Sequence, residues 1–453
     1  MAHWHECNRE HRFTCDWIFN ILVVLSDGKV VCGCADPYGE RPLGHLGEDS
    51  ILDIWNSPMV RQIRRELNQG HCCFCDPCGL KRYLEPGESP PERPERLDIL
   101  PRIFLEPTVR CNLSCFDAVC NRESGIVHTR NRAFFPFEDF TALMDQIGEQ
   151  LIRVDLFNYG EPFVHPQAVD MVEYIKRQFP QIFLYVSTNG LALDRGKIDR
   201  LVDAGLDEIT FSVDGVDQET YAKYRIGGDF SRIVEKMSMM VQSRNEAGWE
   251  VPYINWRYIL FKWNDTSYHM NRARRLARKI GVDRLTWEIT DHPPTARSER
   301  YQIGTHGWRR IYREIWDSSQ IGNAIVQKRY RARIKVLAFP GKTHQQQPLK
   351  VRVRVKNTGG GYWWRETRSG RRIVRLGAQL YDVERQLVEL NFARAGLHRG
   401  MGRGASDTLI IDLPPFPHEG VFWLKFDMVS EGIDWFELGG SDVVWKRLKV
   451  EAL

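Results

Sequence analysis

The amino-acid sequence predicts an α/β protein: a core of six strand–helix units, preceded by a small cysteine-rich α+β module and followed by an all-β sandwich. Three observations carry this expectation. Short apolar runs alternate with amphipathic helical patterns from Ile103 to about Glu288. Successive strands joined by helices build a parallel sheet, either open and doubly wound or curved into a barrel. All eleven cysteines lie between Cys7 and Cys120. From about Arg333 onward, short β-like runs are broken by Gly and Pro turns. These shifts divide the 453 residues into a cysteine-rich module (1–84), a linker (85–99), the α/β core (100–292), a helical connector (293–331) and the sandwich (332–453).

The elements follow in order. Ser26-Asp27-Gly28-Lys29 is a hairpin turn between Ile18–Leu25 and Val30–Val31, with Asp-Gly at its centre. Cys32 and Cys34 come directly after that hairpin. Leu43-Gly44-His45-Leu46, the run from Ser50 to Asn56 and a helix over Arg61–Leu67 then lead to Cys75-x2-Cys78. The Pro- and Glu-rich stretch from Glu85 to Arg96 suits a linker. Core strands are expected at Ile103–Glu106, Ile152–Phe157, Ile182–Ser187, Glu208–Val213, Ile254–Phe261 and Arg284–Glu288. Helices are expected at Phe137–Leu151, Gln167–Phe179, Lys197–Ala204, Ser231–Arg244 and Thr266–Ile280. The connector is basic, with Trp308, Ile311, Ile315 and Trp316 at helical spacing. In the last region Val351 to Val355 alternates strictly, and further strands read at Leu376–Tyr381, Leu409–Leu413 and Val421–Val429.

Composition narrows the function classes. Lys and Arg total 63 against 59 Asp and Glu, a formal charge of +4, which is too balanced to point to nucleic acid or an anionic membrane. The longest apolar run, Ile18 to Leu25, is interrupted by Asn20 and too short to span a bilayer. The first residues, with His3, His5, Glu6 and Cys7, lack an apolar signal core, so a cytoplasmic protein is expected. Cysteines crowded into about a quarter of a long chain read as metal ligands in a reducing compartment, not as a disulfide framework.

In parallel α/β proteins the chemistry gathers at the carboxyl ends of the strands. There the sequence places Cys111, Cys115 and Cys120 after the first core strand and Gly160-Glu161-Pro162 after the second. Ser187 and Asn189 end the third, Ser212 and Asp214 the fourth. Three local thiolates suit an iron–sulfur cluster with one open iron, or zinc with a fourth ligand. Across roughly residues 100–290 this pattern resembles the radical S-adenosylmethionine (SAM) superfamily. The resemblance implies a partial (β/α)6 barrel whose Cys111, Cys115 and Cys120 hold a 4Fe–4S cluster. It implies SAM on the unique iron, reductive cleavage to a 5′-deoxyadenosyl radical, and an electron donor such as ferredoxin or flavodoxin. Glu161 would accept from the SAM ammonium and Gly160 would allow close approach of backbone. Ser187, Asn189, Ser212 and Asp214 would meet the methionine carboxylate, the ribose or the substrate. The usual spacing is Cys-x3-Cys-x2-Cys with an aromatic before the last cysteine; here the second interval is two residues longer and Val119 precedes Cys120.

The hairpin, the Leu-Gly and Ile-Trp-Asn segments and the closing Cys-x2-Cys of residues 1–84 resemble the SPASM/twitch auxiliary-cluster domain. That resemblance implies a second 4Fe–4S cluster on Cys15, Cys32, Cys75 and Cys78. Cys34 is an alternative to Cys32, and Cys72 to either late cysteine; a four-cysteine zinc site is the competing chemistry. The usual module follows the barrel, whereas this one precedes it. With Val355-Lys356-Asn357-Thr358, Leu413-Pro414, Phe426-Asp427-Met428-Val429 and Gly432-Ile433-Asp434-Trp435-Phe436, the sandwich is similar to modules attached to polysaccharide-export proteins, which implies a glycan or glycan-linked substrate. In it Trp423 and Trp435 are expected in the core, with Trp363 and Trp364 open. The expected function is a radical SAM enzyme abstracting hydrogen from an unidentified substrate, in glycan or polysaccharide biosynthesis. The alternatives are a non-catalytic scaffold of that fold and a zinc-stabilised carbohydrate-binding protein.

Overall fold

A computed structural model describes residues 11–33, 36–119, 122–315, 330–359, 362–366, 373–431 and 434–452. Cys34 and Cys120 lie outside the described residues. The chain divides into two compact units, Met1–Trp316 and Asp317–Leu453.

The first unit is built on one nine-stranded sheet. Its strands are β1 (Ile21–Val24), β2 (Lys29–Val31), β3 (Gly44–His45), β4 (Arg102–Leu105), β5 (Arg153–Asp155), β6 (Phe183–Thr188), β7 (Glu208–Ser212), β8 (Tyr253–Leu260) and β9 (Arg284–Ile289). In space they run β9-β8-β7-β6-β5-β4-β1-β2-β3. Strands β4 to β9 are parallel and follow one another in sequence order. A doubly wound sheet needs a reversal of that order, and none occurs.

The six core strands and their helices form where period and capping place them. Helices Arg195–Asp203, Phe230–Ala247 and Ser267–Ile280 begin at Asp194, Asp229 and Thr266, whose side chains accept from backbone N–H groups of the first turn. One sheet face is apolar: Ile103, Val154, Leu184, Val186, Ile209, Phe211, Ile254 and Trp256 join the helices in a single core. The other face is polar, and its charges are paired. Arg102 and Arg153 both bond Asp155, at 2.6 Å each. Asn255 donates to Thr210 at 3.2 Å and accepts from Thr286 at 3.3 Å, a rung across three strands.

The cysteine-rich segment is part of the same sheet. β1 pairs in parallel with β4, Ile21 opposite Arg102 and Val24 opposite Leu105. It thereby covers a sheet edge that would otherwise expose unpaired backbone. The Asp27-Gly28 hairpin forms as expected, but its first strand starts later than predicted. Trp17–Asn20 makes a helical turn that buries Ile18 and Phe19 instead. At the end of β4, Glu106 ties hairpin to core. It accepts from Ser26 N at 3.1 Å, Arg130 Nε at 2.9 Å and Asn158 Nδ2 at 3.3 Å. Beyond β9, helix His306–Ile311 supplies part of the expected connector. No helix among the described residues is long and apolar enough to cross a membrane.

The second unit is all-β. Ala332–Ala338, Leu349–Asn357 and Ser406–Leu413 form one antiparallel sheet. Lys342–His344, Val444–Glu451, Gly420–Ser430, Val374–Tyr381 and Leu387–Gly396 form the other, with Asp434–Trp435 paired to Gly420–Ser430. Strict alternation buries Val351, Val353 and Val355 and leaves the intervening cations outside. The same alternation corrects the tryptophan expectations. Phe422, Leu424, Phe426 and Met428 take the core face of their strand, so Trp423 falls on the opposite face and is half-buried. Trp435 is half-buried too, while Trp363 is the one in the core.

Candidate metal centres and cofactor pocket

The loop after β4 is held by the segment after β5. Glu161 N donates to the Arg110 carbonyl at 2.8 Å. Gly160 has φ +83°, and a Cβ there would lie 2.3 Å from the Thr108 oxygen and 2.7 Å from the Val109 carbonyl carbon. Its missing side chain is thus required first by the cysteine loop's own backbone. Gly160→Ala should destabilise the first unit by about 2 kcal/mol or more. It should also reduce bound iron at the Cys111 site; denaturation and iron analysis of the same preparation check both effects.

Cys111 and Cys115 sit on this loop. Leu113 N donates to Cys111 Sγ at 3.4 Å, and Asn189 Nδ2 lies 3.7 Å from that sulfur while donating to Asn112 Oδ1 at 2.7 Å. Burial pushes the Cys111 thiol up to about 11, so it ionises at neutral pH only where a cation takes its charge. Ser114–Cys115 pairs antiparallel with Arg225–Ile226. Arg225 Nη1 stands 3.5 Å from Cys115 Sγ, and its Nε donates to Asp214 at 2.6 Å.

Glu161 is buried and accepts from Thr188 Oγ1 and Asn189 N, each at 2.6 Å, and from Phe163 N at 3.3 Å. Asn189 therefore links this carboxyl to the Cys111 turn. Burial outweighs the three donors and pushes the Glu161 carboxyl up to about 7. A group raised in this way stabilises the fold below its unfolded pKa, and that contribution is lost as pH rises through 7. In the metal-free chain Glu161→Gln should remove a stability loss of at most about 3 kcal/mol between pH 4.5 and 7. Denaturation midpoints at pH 5 and 7.5 for both proteins measure it. An ammonium bound beside the carboxyl lowers its pKa and removes the same loss.

The remaining predicted residues cluster on the polar face. Pro162 opens a short 3-10 turn and is buried with Phe163. Ser187 and Ser212 face each other at 3.5 Å between their hydroxyls, and Arg257 Nη2 donates to Ser212 at 2.9 Å. Asp214 is fully buried: one oxygen accepts from Ile259 N at 2.7 Å and the other from Arg225. It acts on the mouth through Arg225. Sequence reasoning missed both arginines. Arg257 had a signal, being a lone cation inside the apolar run Tyr253–Leu260; Arg225 had none, because its partner strand is non-local.

In the cysteine-rich segment, Cys15, Cys32, Cys75 and Cys78 line one cavity with Trp17, Ile18, Phe74, Leu80, Arg41 and Lys81. Cys72 touches Cys75 but does not line the cavity. Cys73 is disulfide-bonded and outside this set. Burial raises Cys15 to about 11 and Cys32 well above the usual thiol range, and neighbouring thiols push the same way. Thiols raised in this way become metal ligands by giving up their protons on binding a multivalent cation. Among the described residues no three His, Cys, Asp or Glu side chains converge on a single ion. Four thiols lining one cavity fit an iron–sulfur core.

Residues 105–246 match the family model of the radical SAM superfamily, and residues 15–79 match that of the SPASM iron–sulfur cluster-binding domain. The chain carries a radical SAM domain and a SPASM domain. The first contains Cys111, Cys115, Cys120 and all seven residues expected at the cofactor; the second contains Cys15, Cys32, Cys75 and Cys78. Together they imply a 4Fe–4S cluster with SAM and an auxiliary iron–sulfur cluster.

Among curated relatives, GTP 3′,8-cyclase of Chlorobaculum tepidum is 29% identical over 139 residues, covering 31% of this chain and 40% of that protein. The tungsten-containing aldehyde ferredoxin oxidoreductase cofactor-modifying protein of Pyrococcus furiosus is 27% identical over 187 residues, covering 40% and 49%. The chain thus spans less than half the length of either relative. Among solved structures, Streptococcus suis SuiB bound to S-adenosylmethionine is 14% identical, with a TM-score of 0.38, 47% of this chain and 46% of that one being covered. Native anSMEcpe with bound AdoMet is 16% identical, with a TM-score of 0.33, covering 41% and 50%.

Proposed function

We propose that the chain is a radical SAM enzyme built on a partial (β/α)6 barrel, abstracting a hydrogen from its substrate. Cys111, Cys115 and Cys120 are its SAM-cluster ligands, and Cys15, Cys32, Cys75 and Cys78 hold the auxiliary cluster. Bound SAM and its cluster supply a 5′-deoxyadenosyl radical by one-electron cleavage. The chain's own residues bind and orient. Glu161 presents a buried carboxylate for an ammonium. Asn189 fixes that carboxylate relative to Cys111. Ser187, Ser212, Asp214 and Arg225 supply hydroxyls and a positioned cation for the carboxylate, ribose or substrate. A reductant of ferredoxin or flavodoxin type delivers the electron, in the cytoplasm, where buried free thiols stay available for metal.

The observation that carries this reading is the joining of Glu161 to the Cys111 turn through Asn189, which ties together the ends of three strands. The monotonic order of β4 to β9 supports the barrel. In the second unit Trp423 shares its face with Trp445, and Arg385 lies over both rings at 4.4 and 5.2 Å.

Anaerobic reconstitution with iron and sulfide, followed by SAM and dithionite, tests it. The expected result is about eight irons per chain with formation of 5′-deoxyadenosine. Iron without cleavage identifies a non-catalytic scaffold, and tightly held zinc without sulfide a zinc-stabilised protein.

A further inference from the structure

Helix Pro58–Asn68 turns Val60, Ile63, Arg64 and Leu67 inward. A guanidinium thus occupies a place that the helical period fills with an apolar side chain. Arg64 is fully buried. Its Nε donates to the Ile18 carbonyl at 3.0 Å, its Nη1 to the Glu95 carbonyl at 2.9 Å, and its plane lies 4.0 Å over the Trp55 ring. Nη2 is buried without a hydrogen-bond partner. Both partners that Arg64 does have are neutral. Among the described residues, the titratable group whose charge acts on it is Cys32. Ile18, which its Nε holds, and Leu67, on its own helix, line the cavity of the four thiols. Arg41, whose charge also acts on Cys32, and Lys81 line that cavity too, but both are partly exposed and therefore more screened than Arg64.

A buried cation among neutral groups is strongly unfavourable unless an anion accompanies it. Four thiolates around an iron–sulfur core are such an anion. We propose that Arg64 is the buried counter-charge of the auxiliary cluster, offsetting part of its negative charge and holding its reduction potential up. Gaining an electron makes the cluster more anionic, so a fixed cation at low dielectric favours the reduced form. Arg64 is a positioning residue: it acts on the cluster's electronics without ligating iron. The inference rests on the assignment of Cys15, Cys32, Cys75 and Cys78 as ligands.

The test uses the full chain carrying Cys111→Ala, reconstituted anaerobically, so that the auxiliary cluster alone gives the EPR signal. A signal and iron content in that parent protein check the ligand assignment separately. Arg64→Gln should move the midpoint of an EPR-monitored redox titration to lower potential, and Arg64→Lys should leave it near the parent value. Loss of iron in Arg64→Gln that Arg64→Lys restores also supports the proposal. An unshifted potential in iron-replete Arg64→Gln overturns it. So does equal failure of both variants, which marks a packing role over Trp55.

Discussion

Replacing Cys111 by Ala abolishes 5′-deoxyadenosine formation from SAM and dithionite, while about four irons remain on the chain. The expectation follows from where the two thiol groups lie. Cys111 belongs to a loop tied to Gly160-Glu161 and Asn189, whereas Cys15, Cys32, Cys75 and Cys78 surround a different cavity. Removing one of three local ligands opens a second iron vertex in the first cluster and leaves the other ligand set intact. The reciprocal change, Cys15→Ala, should cost iron at the auxiliary site while the Cys111 loop keeps its hydrogen bonds. Iron and sulfide analysis with product chromatography reads both. Survival of cleavage in Cys111→Ala would show that the ligands are wrongly assigned.

Arg130→Met is expected to destabilise the first unit by about 3–5 kcal/mol, because it strands a buried carboxylate. Neither the Arg130 nor the Glu106 side chain is exposed. Arg130 donates twice to Glu106, at 2.9 and 3.2 Å, and once to the Pro37 carbonyl at 2.7 Å. After the substitution Glu106 keeps only Ser26 N and Asn158 Nδ2 as donors. The pair joins the cysteine-rich hairpin to the strand that leads into the Cys111 loop, so both cluster sites should lose iron together. Anaerobic urea denaturation gives the stability change, and iron analysis gives the coupling. As a control, the exposed Arg65–Glu95 bridge should be removable by Arg65→Met with no resolvable shift. A midpoint in Arg130→Met equal to that control would refute the keystone role.

Much of the first unit was legible in the sequence because its determinants are local. The six core strands announce themselves as apolar runs, with helix caps such as Asp194 and Asp229 between them. The strand-end residues Glu161, Asn189 and Asp214 follow from position alone, since parallel strands aim their carboxyl ends one way. What stayed hidden is non-local or depends on phase. Arg225 reaches Cys115 across 110 residues of chain. Trp423 differs from its buried neighbours only in strand parity, which a one-residue phase shift would reverse. Arg64 looked like one more charge on an amphipathic helix, yet it faces inward.

Ligand types, their spacing and the βα rhythm were determined by the sequence itself, because thiolate softness and backbone periodicity belong to single residues and short runs. Only the tertiary structure decided that the cysteine-rich hairpin completes the core sheet through β1 and β4. It alone decided that Asp214 works through Arg225 and that a cation lies buried near Cys32. Edge pairing and the burial of charge depend on which distant surfaces meet, and that is settled when the packed interior excludes water.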